Sequence, residues 1–278
     1  MLGLMHRRRL LAFDLDQTIV TSDHQLPAVI REAIFRARDA GHLVAVLTGR
    51  PHATALPILE QLEVRSHYSV NHGALVFGEA EQVLRRVRLP WEDVRRVLHP
   101  DLLVEGLEYS LVIDDTLYVR QPGDERWKWA HTNNRRVDVF SMELNRDADK
   151  VVFSSDSDPF HPESSELLSL ASMLEDQIME RYPHLVTYLW NNGYLEVTSQ
   201  GSDKGSALEL LSSELGVARE DTVAFGDGLN DLTMLEWAGH SVAVGPHAHD
   251  RVRAVADEHI APPEEAGVSE WLARNLGV

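Results

Sequence analysis

Two aspartates one residue apart, Asp14 and Asp16, close the apolar run Leu10-Leu11-Ala12-Phe13. A buried strand has no use for such charges unless it ends there or the carboxylates do chemistry. Residues of related character close other apolar runs. Thr48, Gly49 and Arg50 follow HLVAVL, Asp227, Asn230 and Asp231 lie in GDGLND after DTVAF, and Lys204 stands just ahead of a helical pattern beginning near Gly205. Taken singly, acids and glycines at strand ends read as turn residues. Taken jointly, four carboxylates gathered at one rim would repel one another and rise in pKa unless a cation sat among them. An oxygen-only ligand set favours Mg²⁺, which keeps waters that a phosphate oxygen can displace. Zinc fits poorly without cysteine or a His-x-x-x-His pair on a helix. Lys204 reads either as a surface lysine or as a site residue. Lysine opposes the dipole at a helix start, which slightly favours the site, where it could neutralise a carboxylate nucleophile and bind a phosphoryl oxygen. Thr48 and the Gly49 amide would donate to further phosphoryl oxygens, helped by the N-terminus of the following helix.

These groups meet only if the chain folds their strand ends to one edge. Leu10–Phe13 reads as a short buried strand, 27–40 as a helix opened by Pro27 and closed near Gly41, and 42–50 as a second strand. HATALPILEQLEV reads as another helix despite Pro57, and SHYSVNHGALVF as a third strand interrupted at Asn71 and Gly73. After Gly201 the alternation returns: a helix in KGSALELLSSELGV, a strand in DTVAFG, a helix in LTMLEWA, a strand in SVAVG, and helices over 247–256 and VSEWLARNL. This is the pattern of a Rossmann-like α/β core, an open parallel sheet whose ligands bind beyond the carboxyl ends of its strands.

The middle has another character. Residues 83–99 read as a charged linker strand and a helix starting near Pro90, and 106–120 as two strands around Asp114-Asp115. ADKVVFSSD is a further strand, 162–178 a helix, and 184–200 two strands around Asn192-Gly193, a strong hairpin signal. The expectation is a core of residues 1–82 and 200–278 with an inserted α+β lobe, 83–199. In that lobe RWKWAHTNNRR (126–136) joins aromatics to positive charge. Its simpler reading is a helix with Trp127 or Trp129 packed inward. Tyr188, Trp190 and Tyr194 likewise fit a lobe core, while Asn191, Asn192 and Glu196 are candidate sugar contacts that hairpin chemistry explains as well.

The 278 residues carry 44 Asp plus Glu against 26 Lys plus Arg, a formal net charge of -18. Such a surface repels nucleic-acid backbones and anionic membranes, though a local cation can still draw in a small anion. No cysteine is present, which removes disulfides, thiolate metal sites and a cysteine nucleophile. The apolar run at the N-terminus is too short for a secretory signal, and no later run would span a bilayer. A cytoplasmic protein is expected, with no nucleic-acid or membrane partner and an undetermined oligomeric state.

The segments DLDQT (14–18), LTGR (47–50), SDKGSAL (202–208) and GDGLND (226–231) closely resemble the four ordered motifs of the haloacid dehalogenase-like hydrolase superfamily. Their order and spacing are similar to its Cof-type phosphatase branch, in which a C2 cap is inserted between the second and third motifs. NHGA (71–74) is similar to that branch's Asn-Gly-Ala element. The resemblance implies a Mg²⁺-dependent phosphomonoesterase acting on a small phosphorylated metabolite such as a sugar phosphate. It implies Asp14 as nucleophile, Asp16 as acid and base, Thr48 and Lys204 as phosphoryl-binding catalytic residues, and Gly49, Arg50 and Asn230 as further substrate contacts. Asp14, the Asp16 carbonyl and Asp227 would hold the metal, with Asp231 supporting that shell or orienting Lys204. Two departures stand out: Gln17 where the family usually has glycine, and GPHA (245–248) where it often has Gly-Asn-Ala.

Other readings remain distinguishable. A phosphomutase or other phosphotransferase could pass the same aspartyl-phosphate to a sugar hydroxyl. A noncatalytic phospho-metabolite-binding protein could keep the site without turnover. A dehalogenase would not need Asp227 and Asp231, and a receiver domain would lack the inserted lobe.

Overall fold

Strands of four or five apolar residues can be buried on both faces only if helices cover both sides of their sheet, and the first unit is built that way. The computed structural model describes residues 7–132, 135–154, 165–190 and 192–278. The chain up to Arg86 together with Asp203–Val278 forms one compact unit, and Val87–Ser202 forms another.

In the first unit the strands are β1 (Leu10–Phe13), β2 (Leu43–Leu47), β3 (Tyr68–Val70), β4 (Leu75–Phe77) and β5 (Val83–Arg86). After the inserted segment, whose strands are β6 to β11, follow β12 (Thr222–Gly226), β13 (His240–Val244) and β14 (Glu258–Ile260). Among the described residues these eight make one sheet in the order β14-β13-β12-β1-β2-β3-β4-β5. From β14 to β3 all neighbours are parallel, and β4 and β5 run antiparallel. Phe13 stands opposite both Phe225 and Val46, so β1, β2 and β12 end together.

Alternation along β1 divides its side chains between two cores. Leu11 and Phe13 pack with Ile30 and Ile34 of α1 (Ala28–Asp39), Ile58 of α2 (His52–Gln61) and Trp271 near the C-terminus. Leu10 and Ala12 pack on the other face with Leu208 and Leu211, Met234 and Val252. Each fully buried Leu or Phe stabilises the fold by roughly 1.5–3 kcal/mol relative to exposure. Pro57 lies inside α2 without ending it.

Three elements of the first unit differ from the sequence reading. SHYSVNHGALVF forms two antiparallel strands, β3 and β4, rather than one interrupted strand, because Asn71, His72 and Gly73 all take positive φ (50°, 56° and 94°) and reverse the chain. Val83–Arg86, read as the start of the middle lobe, pairs with β4 in the first sheet. The third is β14, absent from the sequence reading: its three residues are only partly buried, so they carry no apolar run.

The second unit contains β6 (Glu108–Ile113), β7 (Thr116–Val119), β8 (Arg136–Val139), β9 (Lys150–Ser154), β10 (Leu185–Leu189) and β11 (Leu195–Ser199). Among the described residues they form a sheet ordered β10-β11-β9-β6-β7-β8, antiparallel except between β7 and β8. Asp114 and Asp115 both take positive φ (47° and 65°), which matches the twist of a two-residue hairpin turn between β6 and β7. α3 (Trp91–Val97) and α5 (Ser165–Arg181) supply Val94, Val97, Leu174 and Ile178 to a core against this sheet. On another side Trp127 is buried with Ala130 of the short α4 (Lys128–Thr132), Val112 and Val152. Of the residues proposed as sugar contacts, Glu196 is buried and bound to Lys150 Nζ at 2.6 Å, while Asn192 Oδ1 accepts the Tyr194 amide at 3.1 Å within the turn. Asn191 and residues 133–134 lie outside the described residues.

Candidate active site

The rim where β1, β2 and β12 end carries every core residue singled out from the sequence. Asp14 directly follows β1 and is tied to β12 by its amide, which donates to the Phe225 carbonyl at 3.1 Å. The loop after it is anchored by Leu15, fully buried, whose carbonyl accepts the amides of Ile19 and Val20 at 3.0 and 2.8 Å. Lys204 opens α6 (Lys204–Glu214), and the Asp203 side chain caps that helix by accepting the Ser206 amide. Lysine here is fully buried rather than solvated. Its Nζ donates to Asp14 Oδ1 and to Asp231 Oδ1, each at 2.5 Å, joining the first, third and fourth motifs through one ammonium.

Asp231 is the organiser of the GDGLND loop. One carboxylate oxygen takes Lys204, and the other accepts the amides of Asp227 and Gly228, both at 2.9 Å. A Cβ on Gly226 would lie 2.5 Å from the Asp231 Cβ, so only glycine admits this close return of the loop. Of the two roles the sequence left open for Asp231, the hydrogen bonds favour orienting Lys204. Asp227 is held by Thr18, whose hydroxyl donates to Oδ1 at 3.0 Å. Thr18 lies within DLDQT but was not singled out, because a lone threonine in a turn carries no signal without its partner 209 residues away.

Asp14, Asp227 and Asp231 present carboxylate oxygens that all lie within 4.8 Å of one another. Burial, then the nearby Asp231, pushes the Asp14 carboxyl up to about 7, against the pull of Lys204. Burial and the neighbouring Asp231 and Asp14 drive Asp227 well above the ordinary carboxylate range. For Lys204 burial disfavours the charge, but Asp14 and Asp231 outweigh it and raise its pKa above the usual lysine value. Three acids against one ammonium leave surplus negative charge, the chemistry that calls for a hard, oxygen-seeking cation.

Asp16 occupies a different environment. Its carboxylate faces Arg50, which donates from Nε to Oδ2 at 2.8 Å and from a terminal nitrogen to Oδ1 at 2.5 Å. Burial opposes ionisation there, but Arg50 and His24 outweigh it and hold Asp16 well below the usual range. Its side chain is therefore not among the clustered carboxylates, and Arg50, read from sequence as a substrate contact, is paired within the protein. Thr48 is buried, and its hydroxyl accepts the Arg50 amide at 3.1 Å. Asn230 is buried and within 3.4 Å of the His72 ring.

Gln17 is exposed and takes φ of 58°, the left-handed region in which a side chain costs about 1–2 kcal/mol. Glycine loses more chain entropy on folding, which offsets part of that gain. Gln17→Gly is therefore expected to stabilise the first unit by about 0.5–1 kcal/mol, read as a small rise in melting temperature with unchanged hydrolysis.

Residues 11–272 match the model of a family described as haloacid dehalogenase-like hydrolase. The chain is 27% identical to the putative phosphatase YkrA of Bacillus subtilis over 278 residues, covering 97% of this chain and 98% of that protein. It is 28% identical to the 5-amino-6-(5-phospho-D-ribitylamino)uracil phosphatase YitU of the same organism, over 95% of this chain and 96% of that one. Among solved structures, the subclass IIB sugar phosphatase BT4131 superposes with a TM-score of 0.79 at 25% identity, covering 97% of this chain and 99% of its own. Among the described residues no helix is long and apolar enough to cross a membrane. A family match over nearly the whole length, on a fold whose strand ends gather the motif residues, identifies the chain as a member of the haloacid dehalogenase-like hydrolases and an enzyme of their phosphatase class.

Proposed function

We propose that the enzyme hydrolyses the phosphate monoester of a small metabolite, a sugar phosphate or a related polyol or nucleotide-derived phosphate, by way of a phosphorylated Asp14. The observation that carries this reading is the Lys204 ammonium, 2.5 Å from Asp14 and from Asp231, beside a cluster of carboxylates within 4.8 Å. That cluster fits Mg²⁺, and Asp14 and Asp227 would hold it with the Asp16 carbonyl, because both oxygens of Asp231 are already engaged. When bound, the ion neutralises the carboxylates and spreads the charge of the phosphoryl oxygens.

In the first displacement an Asp14 oxygen forms a bond to phosphorus while the bond to the leaving oxygen breaks, and Asp16 supplies that oxygen with a proton. In the second, water attacks phosphorus, its proton passes to Asp16, and the phosphorus–Asp14 bond breaks to free phosphate. Lys204 keeps Asp14 oriented and offsets its repulsion from the anionic ester, while the Thr48 hydroxyl, the Gly49 amide and Asn230 bind phosphoryl oxygens. Arg50 holds Asp16 as the carboxylate, the form that accepts the water's proton. The acid stage requires the two to separate, and a guanidinium released from Asp16 is free to meet the ester. The unit Val87–Ser202 is proposed to be an inserted C2-type cap that selects the leaving group.

Two relatives support the substrate class: YitU is named for a ribityl phosphate and BT4131 as a sugar phosphatase. The test is phosphate release from a panel of sugar phosphates, polyol phosphates and nucleotides with Mg²⁺. Chelation is expected to lower the rate by at least ~100-fold, reversed on adding the ion. Isomerised phosphoester without free phosphate would make the enzyme a mutase. Tight binding of one ester with no turnover would make it a binding protein.

A further inference from the structure

His72 takes no part in the mechanism above, yet it lies between two of the loops that the mechanism uses. It is 1% exposed, and with Asn71 and Gly73 it forms three successive residues of positive φ. Such backbone is costly for residues with side chains and persists where the surroundings hold it in place. Here the holding contacts come from the second motif: the His72 amide donates to the Thr48 carbonyl at 3.0 Å and the Asn71 amide to the Arg50 carbonyl at 2.9 Å. The imidazole then lies against Gly49. A Cβ built on Gly49 would stand 2.3 Å from Cε1, 2.8 Å from Nδ1 and 3.0 Å from Nε2. The same Nδ1 is 3.4 Å from Nδ2 of Asn230 in the fourth motif. With the ring proton on Nε2, Nδ1 accepts from the Asn230 amide.

We propose that His72 is a positioning residue for phosphoryl binding: its ring sets the spacing between the Gly49 amide and Asn230, and its bulk is the reason the second motif needs glycine at 49. The inference rests on the phosphatase reading and adds to it a residue that acts through two of its phosphoryl donors. A rigid ring in contact with both donor residues holds them at one separation, and a loosened donor pair binds a tetrahedral anion less well. Losing one well-placed hydrogen bond to an anion corresponds to about tenfold in affinity.

The test compares His72→Leu, His72→Gln, Gly49→Ala and the double variant Gly49→Ala/His72→Ala with the wild type, on whichever ester the wild type hydrolyses. Leu fills similar volume without an acceptor, whereas Gln can accept from Asn230. Expected for His72→Leu is a rise of roughly tenfold in KM and in the inhibition constant of inorganic phosphate, with kcat changed less, and for His72→Gln a rise within about threefold. Gly49→Ala is expected to be worse than His72→Leu, and removing the ring in the double variant is expected to recover at least fivefold of that loss. Equal kinetics for Leu, Gln and wild type, equal impairment of Leu and Gln, or a double variant no better than Gly49→Ala alone would each overturn the proposal. Wild type that releases no phosphate from any ester would instead refute the phosphatase reading. In that case thermal shift by inorganic phosphate with Mg²⁺ carries the same comparison, and equal shifts in wild type and His72→Leu overturn the positioning role.

Discussion

Asp14→Asn is expected to abolish phosphate-ester hydrolysis, lowering kcat by ~10⁴-fold or more, the scale seen when a covalent nucleophile is removed. The amide has the shape of the carboxylate but cannot displace an alkoxide from phosphorus, so the loss falls on the chemical step. The fold is expected to survive. Lys204 keeps its second partner, Asp231, at 2.5 Å, and the Asp14 backbone bond to Phe225 is untouched. Phosphate-release kinetics with thermal melting of the same preparation read both halves. A variant that melts like the wild type and retains a tenth of its rate would remove Asp14 from the nucleophile's place. A residual rate below the detection limit with intact binding of the ester would leave it there.

Lys204→Met is expected to have the larger effect on stability. Methionine nearly fills the volume, so the change isolates the charge. Without the ammonium, Asp14 and Asp231 face each other in a buried site, and Arg50, which also acts on Asp14, is engaged with Asp16. Breaking a buried pair in this way costs about 3–5 kcal/mol, far more than removing a solvated one. The sign with pH follows from the raised pKa of Lys204. A raised lysine contributes stability that is complete below the ordinary lysine value and lost only as pH climbs through the folded one, so wild type keeps it across the neutral range. In the variant the two acids can shed their repulsion only by taking up a proton, so its deficit is expected to be smaller at pH 5.5 than at pH 8. Urea unfolding at both values measures this, and added Mg²⁺ is expected to restore part of the loss. A deficit below about 1 kcal/mol at pH 8 would mean that the Lys204 bridge contributes little to the fold.

The alternation of strand and helix, the acids closing β1 and β12, and the Asn-Gly and Asp-Asp turns were legible in the sequence, since each depends on residues close in the chain. β3 with β4 was read as one strand because the reversal at 71–73 comes from backbone angles that only its packing enforces. β5, β8 and β14 are short or partly exposed, and a strand of that kind is defined by its neighbour more than by its own composition.

The sequence by itself determined which side chains stand at the rim, because loop residues that follow buried strands of a parallel sheet have nowhere else to go. Tertiary structure alone decided whom they touch. Lys204 reaches Asp14 across 190 residues of chain, Thr18 reaches Asp227 across 209, and His72 reaches Asn230 across 158. It also turned Asp16 toward Arg50 and away from the other acids. Residue type sets how many hydrogen bonds and how much charge a side chain brings, but its partner is chosen by which competing contact the packed backbone leaves within about 3 Å, and that distance is a property of the whole fold.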